Sequence, residues 1–157
     1  MLVCLFFYFL IVQPAAYAQR DTLPEEYSVI NLEDIDDYDG FELFSPDKDA
    51  RIFIVGENHT FYRTNADLEF KMFRYLHEKA GVNTLMMEFG LARGYFVNEY
   101  VQTGDTNLLS ILRPFSNPVY ITFYKRLHRY NKNLPDDKKI RIVGADVERF
   151  SHLAIQL

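Results

Sequence analysis

Cysteine occurs once in this chain, at Cys4, and tryptophan not at all. Basic residues are in deficit: 17 Lys and Arg against 22 Asp and Glu leave a net charge of −5. A dedicated nucleic-acid binder needs a basic face to neutralise phosphates, so that class is excluded. No tract is low in complexity and no internal repeat occurs, which excludes solenoids and arrays. No apolar run is long enough for a membrane-spanning helix.

The longest apolar run is Leu2–Val12, followed by Gln13-Pro14 and then Ala16-Tyr17-Ala18. Its length fits the apolar region of a signal peptide, and Ala16-x-Ala18 fits a small-residue cleavage site. The n-region lacks Lys and Arg. Cys4 lacks the context of a lipid-attachment site. The expectation is a signal peptide over 1–18 and an exported product, periplasmic or secreted, without a stable membrane anchor. Cleavage there removes the only cysteine. Disulfides, thiolate nucleophiles and thiolate metal sites are then excluded. Carboxylates, histidines and hydroxyls remain for any chemistry.

The 157 residues suffice for one domain, and 48% are apolar, with 14 Phe and 11 Tyr. Residues 19–50 are acidic and read as a solvated lead-in with one short strand over Tyr27–Leu32. Asp36-Asp37-Tyr38-Asp39-Gly40 fails as a calcium loop, because Ile35 and Pro46 fall at ligand positions. Arg51–Val55 is continuously apolar after its first residue, as in a parallel strand covered on both faces. The pattern then predicts a helix over Ala66–Ala80, capped by Asn65 and closed by Gly81. A second strand runs Thr84–Glu88. A helix follows over Ala92–Gln102, closed by Gly104, and Asp105 caps a short helix to Leu112. Asn117-Pro118 opens a helix to about Asn131, Pro135-Asp136-Asp137 turns the chain, and Ile140–Val143 is a third strand ending at Asp146. The fold class is α/β: a parallel sheet with helical crossovers, expected to be incomplete at its C-terminus.

Ligands of parallel α/β sheets bind beyond the carboxyl ends of the strands. That rule brings Glu57 and His59 from the first strand, Glu88 from the second, and Asp146 and Glu148 from the third to one rim. Clustered carboxylates beside an imidazole can raise a carboxyl pKa and poise the histidine as a base. Each residue also has a structural reading. Glu57 and Asp146 can cap following segments, and His59 can be structural. Glu88 is harder to explain that way, since an ionised group ending a buried strand is costly unless paired. His77, His128 and His152 read as surface residues. Arg126, Arg129 and Lys132 read as a solvated helix face, and the aromatic-rich segment 118–130 as core.

Val55-Gly56-Glu57-Asn58-His59-Thr60 resembles the strand-end motif of the erythromycin esterase-like superfamily, which also contains the ChaN-like haem-binding lipoproteins and the Tiki-type proteins. Glu69-Phe70-Lys71 with Phe73 and Leu76, Gly81-Val82 leading to Met87-Glu88, Asn98–Asp105, and Ile142–Asp146 resemble its later segments in order. The resemblance covers about residues 50–150, so that 51–157 would be the N-terminal part of such a domain. It implies hydrolysis of an ester or lactone of a small-molecule substrate without a cofactor. His59 would activate water, Glu57 would orient it and Glu88 would be the second acid. Lys71 or Arg63 would be the basic group, and Asp146 and Glu148 would line the site. The single residue between Glu57 and His59 is closer to the ChaN-like branch. That branch implies a haem- or metal-binding envelope protein, whereas the Tiki-type branch implies a divalent-metal hydrolase, with His59 and Glu57, Glu88 or Asp146 as the mixed set that would hold the metal.

Overall fold

The computed structural model describes residues 30–41, 50–58, 60–149 and 151–155. The apolar N-terminal run with Cys4, residues 27–29 of the expected Tyr27–Leu32 strand, and His59 lie outside the described residues. So do the side chain of His152 and that of Ser151. The elements in order are α1 (Tyr62–Ala80), β1 (Thr84–Gly90), α2 (Leu91–Thr103), α3 (Thr106–Leu112), α4 (Pro118–Lys132), β2 (Arg141–Asp146) and the short α5 (Ser151–Ala154). Turns of 3-10 helix follow α3 and precede β2.

β1 and β2 form a parallel pair, with Leu85 opposite Ile142 and Met87 opposite Gly144. The register slips between Met87 and Gly90, just where the strands deliver their end residues. The class is therefore α/β. The helix ends follow from local chemistry. Asp105 Oδ1 accepts from the amide of Asn107 at 2.9 Å, and Asn117 Oδ1 from that of Val119 at 3.0 Å. Gly81 and Gly104 close α1 and α2 at φ values of 70° and 73°, a left-handed conformation that costs glycine little. α1 starts earlier than its pattern predicts. Phe61 stands at its N-cap without a side-chain bond, and Asn65 lies inside the helix.

The core lies between the helices and the inner face of the strand pair. Phe70 and Phe73 from α1 meet Phe123 and Leu127 from α4, with Val97 and Val101 of α2 beneath. β2 passes very close to α2. A Cβ added at Gly94 would strike the backbone of Gly144, and one at Gly144 would strike the carbonyl oxygens of Phe89 and Gly90. The outer edge of β2 is bound by side chains: Asn98 Oδ1 accepts from Ile142 N at 3.0 Å, and Gln102 Nε2 donates to Ile140 O at 2.7 Å. The buried Asn131 completes this network, accepting from Ile140 N and donating to Gln102 Oε1.

Four expectations are corrected. Arg51–Val55 is not a strand: it pairs with no neighbour among the described residues, and Ile52 and Ile54 are 80% and 92% exposed. A lone extended segment has no ladder to satisfy its backbone. It lies instead beside Leu68, Met72 and Leu76 of α1, with which it lines a cleft. The sheet is covered on one face only among the described residues, so Thr84, Met86 and Glu88 alternate outward while Met87 and Phe89 point in. The lead-in is not simply solvated. Phe41 is completely buried against Met72 and Leu76, and Lys71 Nζ donates to the carbonyls of Asn31 and Asp34. Arg74 adds a bond to Ile35 O at 3.0 Å and an ion pair with Asp36 at 2.9 Å. His77 and His128 are not surface residues either. His77 Nδ1 meets the Tyr130 hydroxyl and Nε2 meets Lys138 O at 3.0 Å, while His128 Nδ1 meets Val101 O at 3.0 Å. Arg126 likewise leaves the solvated face, pairing with Asp67 over the ring of Phe70, whereas Arg129 and Lys132 are exposed.

The Gly94–Gly144 approach predicts that Gly144→Ala costs roughly 1–3 kcal/mol through overpacking. A urea titration is expected to show a lower midpoint with an unchanged slope. The Lys71 anchor predicts that Lys71→Ala releases the lead-in. Glu-C cleavage after Glu33 then accelerates by at least about tenfold, as expected for losing a hydrogen bond from a charged donor. Helical circular dichroism is expected to persist.

Candidate functional site

The strand ends open into a cavity of about 230 Å3 lined by Glu88, Phe89, Gly90, Arg93, Phe115, Asp146, Val147, Glu148 and Arg149. Three of the acids expected at the rim therefore share one cavity. β1 delivers Glu88, and β2 delivers Asp146 with Glu148 just beyond it. Glu88 is exposed, because its position in the alternation points to the uncovered face. The burial cost that singled it out in the sequence therefore does not apply. Asp146 Oδ2 accepts from Arg149 at 2.8 Å, and its Oδ1 from the amide of Val147 at 2.7 Å. Glu148 Oε2 accepts from the amide of Ala92 at 2.9 Å, where a carboxylate also meets the positive end of α2.

Glu57 is placed elsewhere. It does not line this cavity. Its Oε2 accepts from the Tyr120 hydroxyl at 3.2 Å and from Asn65 Nδ2 at 3.4 Å. Asn65 Nδ2 also donates to Asn58 O at 2.7 Å, so α1 holds the backbone immediately before position 59. The Asn58 side chain accepts from the amide of Thr60 at 3.1 Å.

Glu69, unremarked as an acid in the sequence, belongs to this second group. Burial, and then the like charge of Glu57, push its carboxyl up to about 7. Burial and the charges of Glu69 and Glu57 push Tyr120 well above the usual phenol range, so its hydroxyl keeps the proton it donates. Helical spacing hides Glu69, since one acid on an amphipathic helix carries no signal until a partner segment packs beside it.

The two groups are linked along α4. Tyr120 and Tyr124 stand one turn apart with ring centroids at 6.5 Å. The Tyr124 hydroxyl accepts from Arg93 Nη2 at 3.2 Å, and Arg93 lines the strand-end cavity. Of the basic residues singled out in the sequence, neither reaches that cavity. Lys71 is buried beneath the lead-in, and the Arg63 side chain is 90% exposed beside Asp67. Arg93, which no motif marked, is the arginine of α2 that does.

Among the described residues no group of three His, Cys, Asp or Glu side chains could hold a metal ion. Glu57 in particular is not gathered with Glu88 and Asp146. Haem needs an axial ligand. His77 has both ring nitrogens engaged, and His128 has Nδ1 bound and its ring packed at Gly104. Neither histidine fits that role. No helix among the described residues is long and apolar enough to cross a membrane.

No family model matches the chain, and no solved structure matches it. Among curated proteins, erythromycin esterase type II of Escherichia coli is 31% identical over 118 residues. The match takes in 73% of this chain but only 28% of that esterase, so the chain spans little more than a quarter of the relative's length. Over that stretch it has an erythromycin esterase-like relationship.

Proposed function

We propose that the chain carries ester or lactone hydrolysis. His59 is the base that activates water, Glu57 orients it, and Glu88, with Asp146 and Glu148, shapes the rim. The observation that carries this reading is the convergence of Glu88, Asp146 and Glu148 on the cavity at the carboxyl ends of β1 and β2, while Glu57 sits outside it against Tyr120. The similarity to a curated erythromycin esterase supports the same class. In such a reaction the imidazole takes a proton from water, and the resulting oxygen attacks the acyl carbon. The tetrahedral intermediate collapses, and the leaving alkoxide takes the proton back. The apolar run Leu2–Val12 with Ala16-x-Ala18 supports export of the product, as a further part of this proposal.

The test uses the full chain with erythromycin and with p-nitrophenyl acetate, product formation being followed by mass spectrometry and absorbance. Wild type is expected to turn over at least one of them. His59→Ala is expected to lose about 100-fold or more, the scale of a general base, with unchanged circular dichroism. Equal turnover in the two proteins would sink the reading.

Glu69 also predicts a pH dependence of stability. A carboxyl whose pKa is raised by folding stabilises the fold when protonated. That contribution is complete below the ordinary carboxylate range and is lost as pH rises through about 7. Glu69→Gln removes the titration. The Tm of wild type minus that of Glu69→Gln is therefore expected to fall between roughly pH 5 and pH 8. A difference constant with pH would show that Glu69 is not held protonated.

A further inference from the structure

Arg93 stands apart from the other charged groups of the strand-end cavity. Arg149 is paired with Asp146, and Glu148 is bound to the amide of Ala92. Arg93 has no carboxylate partner among the described residues. Its guanidinium lies over the ring of Phe89, 4.9 Å from the centroid. Nη2 donates to Ser116 Oγ at 3.1 Å and to the hydroxyl of Tyr124 at 3.2 Å. Tyr124 is completely buried, so this clamp is stiff. Nε is buried without an acceptor, and Nη1 donates to nothing among the described residues. One face and one corner of the fork are thus fixed, while the cation is not neutralised by any described acid. A charge-bearing donor prepared in this way favours an oxygen ligand.

The remaining walls indicate what kind of oxygen. Glu88 lines the same cavity and disfavours a ligand that arrives as an anion, whereas charge that develops on an oxygen already held by Arg93 is met by the guanidinium. A neutral carbonyl carries partial negative charge and avoids that repulsion. Phe89, Phe115 and Val147 offer apolar surface beside Arg93, and about 230 Å3 suits a small group. We propose that Arg93 anchors the acyl oxygen of a bound ester, with the apolar part of the acyl group against Phe115 and Val147. Arg93 then acts in the reaction as well as in binding. When the water oxygen bonds to the acyl carbon, the carbonyl electron pair moves to the oxygen. Nη1–H of Arg93 donates to that oxyanion. The pair returns as the ester C–O bond breaks, and the alkoxide leaves with the proton taken from water. Preorganised donors of this kind stabilise the transition state more than the ground state.

The catalytic part rests on the hydrolase reading, whereas the binding part can be measured without turnover. Acetophenone has the carbonyl and an apolar ring but no ester bond. Titrated into 15N-labelled full chain, it is expected to shift the Nε–Hε signal of Arg93 saturably, that signal being assigned by its absence in Arg93→Lys. No saturable shift would overturn the proposal. With p-nitrophenyl acetate, Arg93→Gln is expected to lose about 100-fold in kcat, the scale of one oxyanion donor, with KM changed little. Arg93→Lys, which keeps the charge and loses the fork, is expected to recover part of the loss. Wild-type turnover in a folded Arg93→Gln would overturn the assignment and leave the hydrolase reading standing. An inactive wild type would instead remove the hydrolase reading, and the acetophenone titration would decide the role of Arg93 alone.

Discussion

α2 and β2 meet at a pair of glycines, Gly94 and Gly144, with no room for a Cβ on either. The contact brings an entire helix against the outer strand. Once α2 is that close, Asn98 and Gln102 reach the backbone of β2, and the buried Asn131 ties both to α4. Among the described residues, the backbone groups of Ile140 and Ile142 at that edge are thereby met by side chains. The same approach sets the start of α2 directly against the residues that follow β2, so that the Ala92 amide meets Glu148. The strand-end cavity is the space left between that helix start and the two strand termini.

The electrostatics of the site follow from which charges are already paired. Asp146 with Arg149, and Glu148 with the start of α2, form local pairings close to home. Glu88 is exposed on the uncovered face and faces solvent at the cavity wall. Arg93 is positioned by neutral partners, Tyr124, Ser116 and Phe89, so its charge is directed at the cavity without being cancelled. A second group, Glu57, Glu69 and Tyr120, is built where α1 and α4 face each other. Burial, and then the like charge of Glu57, raises the Glu69 carboxyl toward neutral pH. The Tyr120–Tyr124 face of α4 lies between the two groups, its rings 6.5 Å apart.

Much of the helical framework was legible locally. Asp105 and Asn117 were read as caps and make the expected bonds, and Gly81 and Gly104 end their helices in left-handed geometry. The convergence of Glu88, Asp146 and Glu148 was legible too, because it needs only the parallel topology. Arg51–Val55 was misread, since continuous apolarity describes a strand only where a neighbour supplies the ladder. Lys71 was misread as a rim cation for a related reason. Its helical position says which way it points, but not that the Asn31–Asp34 backbone will cover it. His77 and His128 looked like surface residues until α1 and α4 packed around them.

Residue chemistry and periodicity along the chain determined the helix ends that carry caps or closing glycines, the α/β class and the acids at the strand ends. Each of these depends on neighbours within a few residues or on a topological rule. Only the tertiary structure decided that Glu57 joins Glu69 rather than Glu88, that Lys71 is buried, and that Arg93 reaches the cavity without a carboxylate partner among the described residues. Those outcomes depend on which helix faces meet. Such packing is settled by steric fit between segments tens of residues apart, as at Gly94 and Gly144, and no local pattern records it.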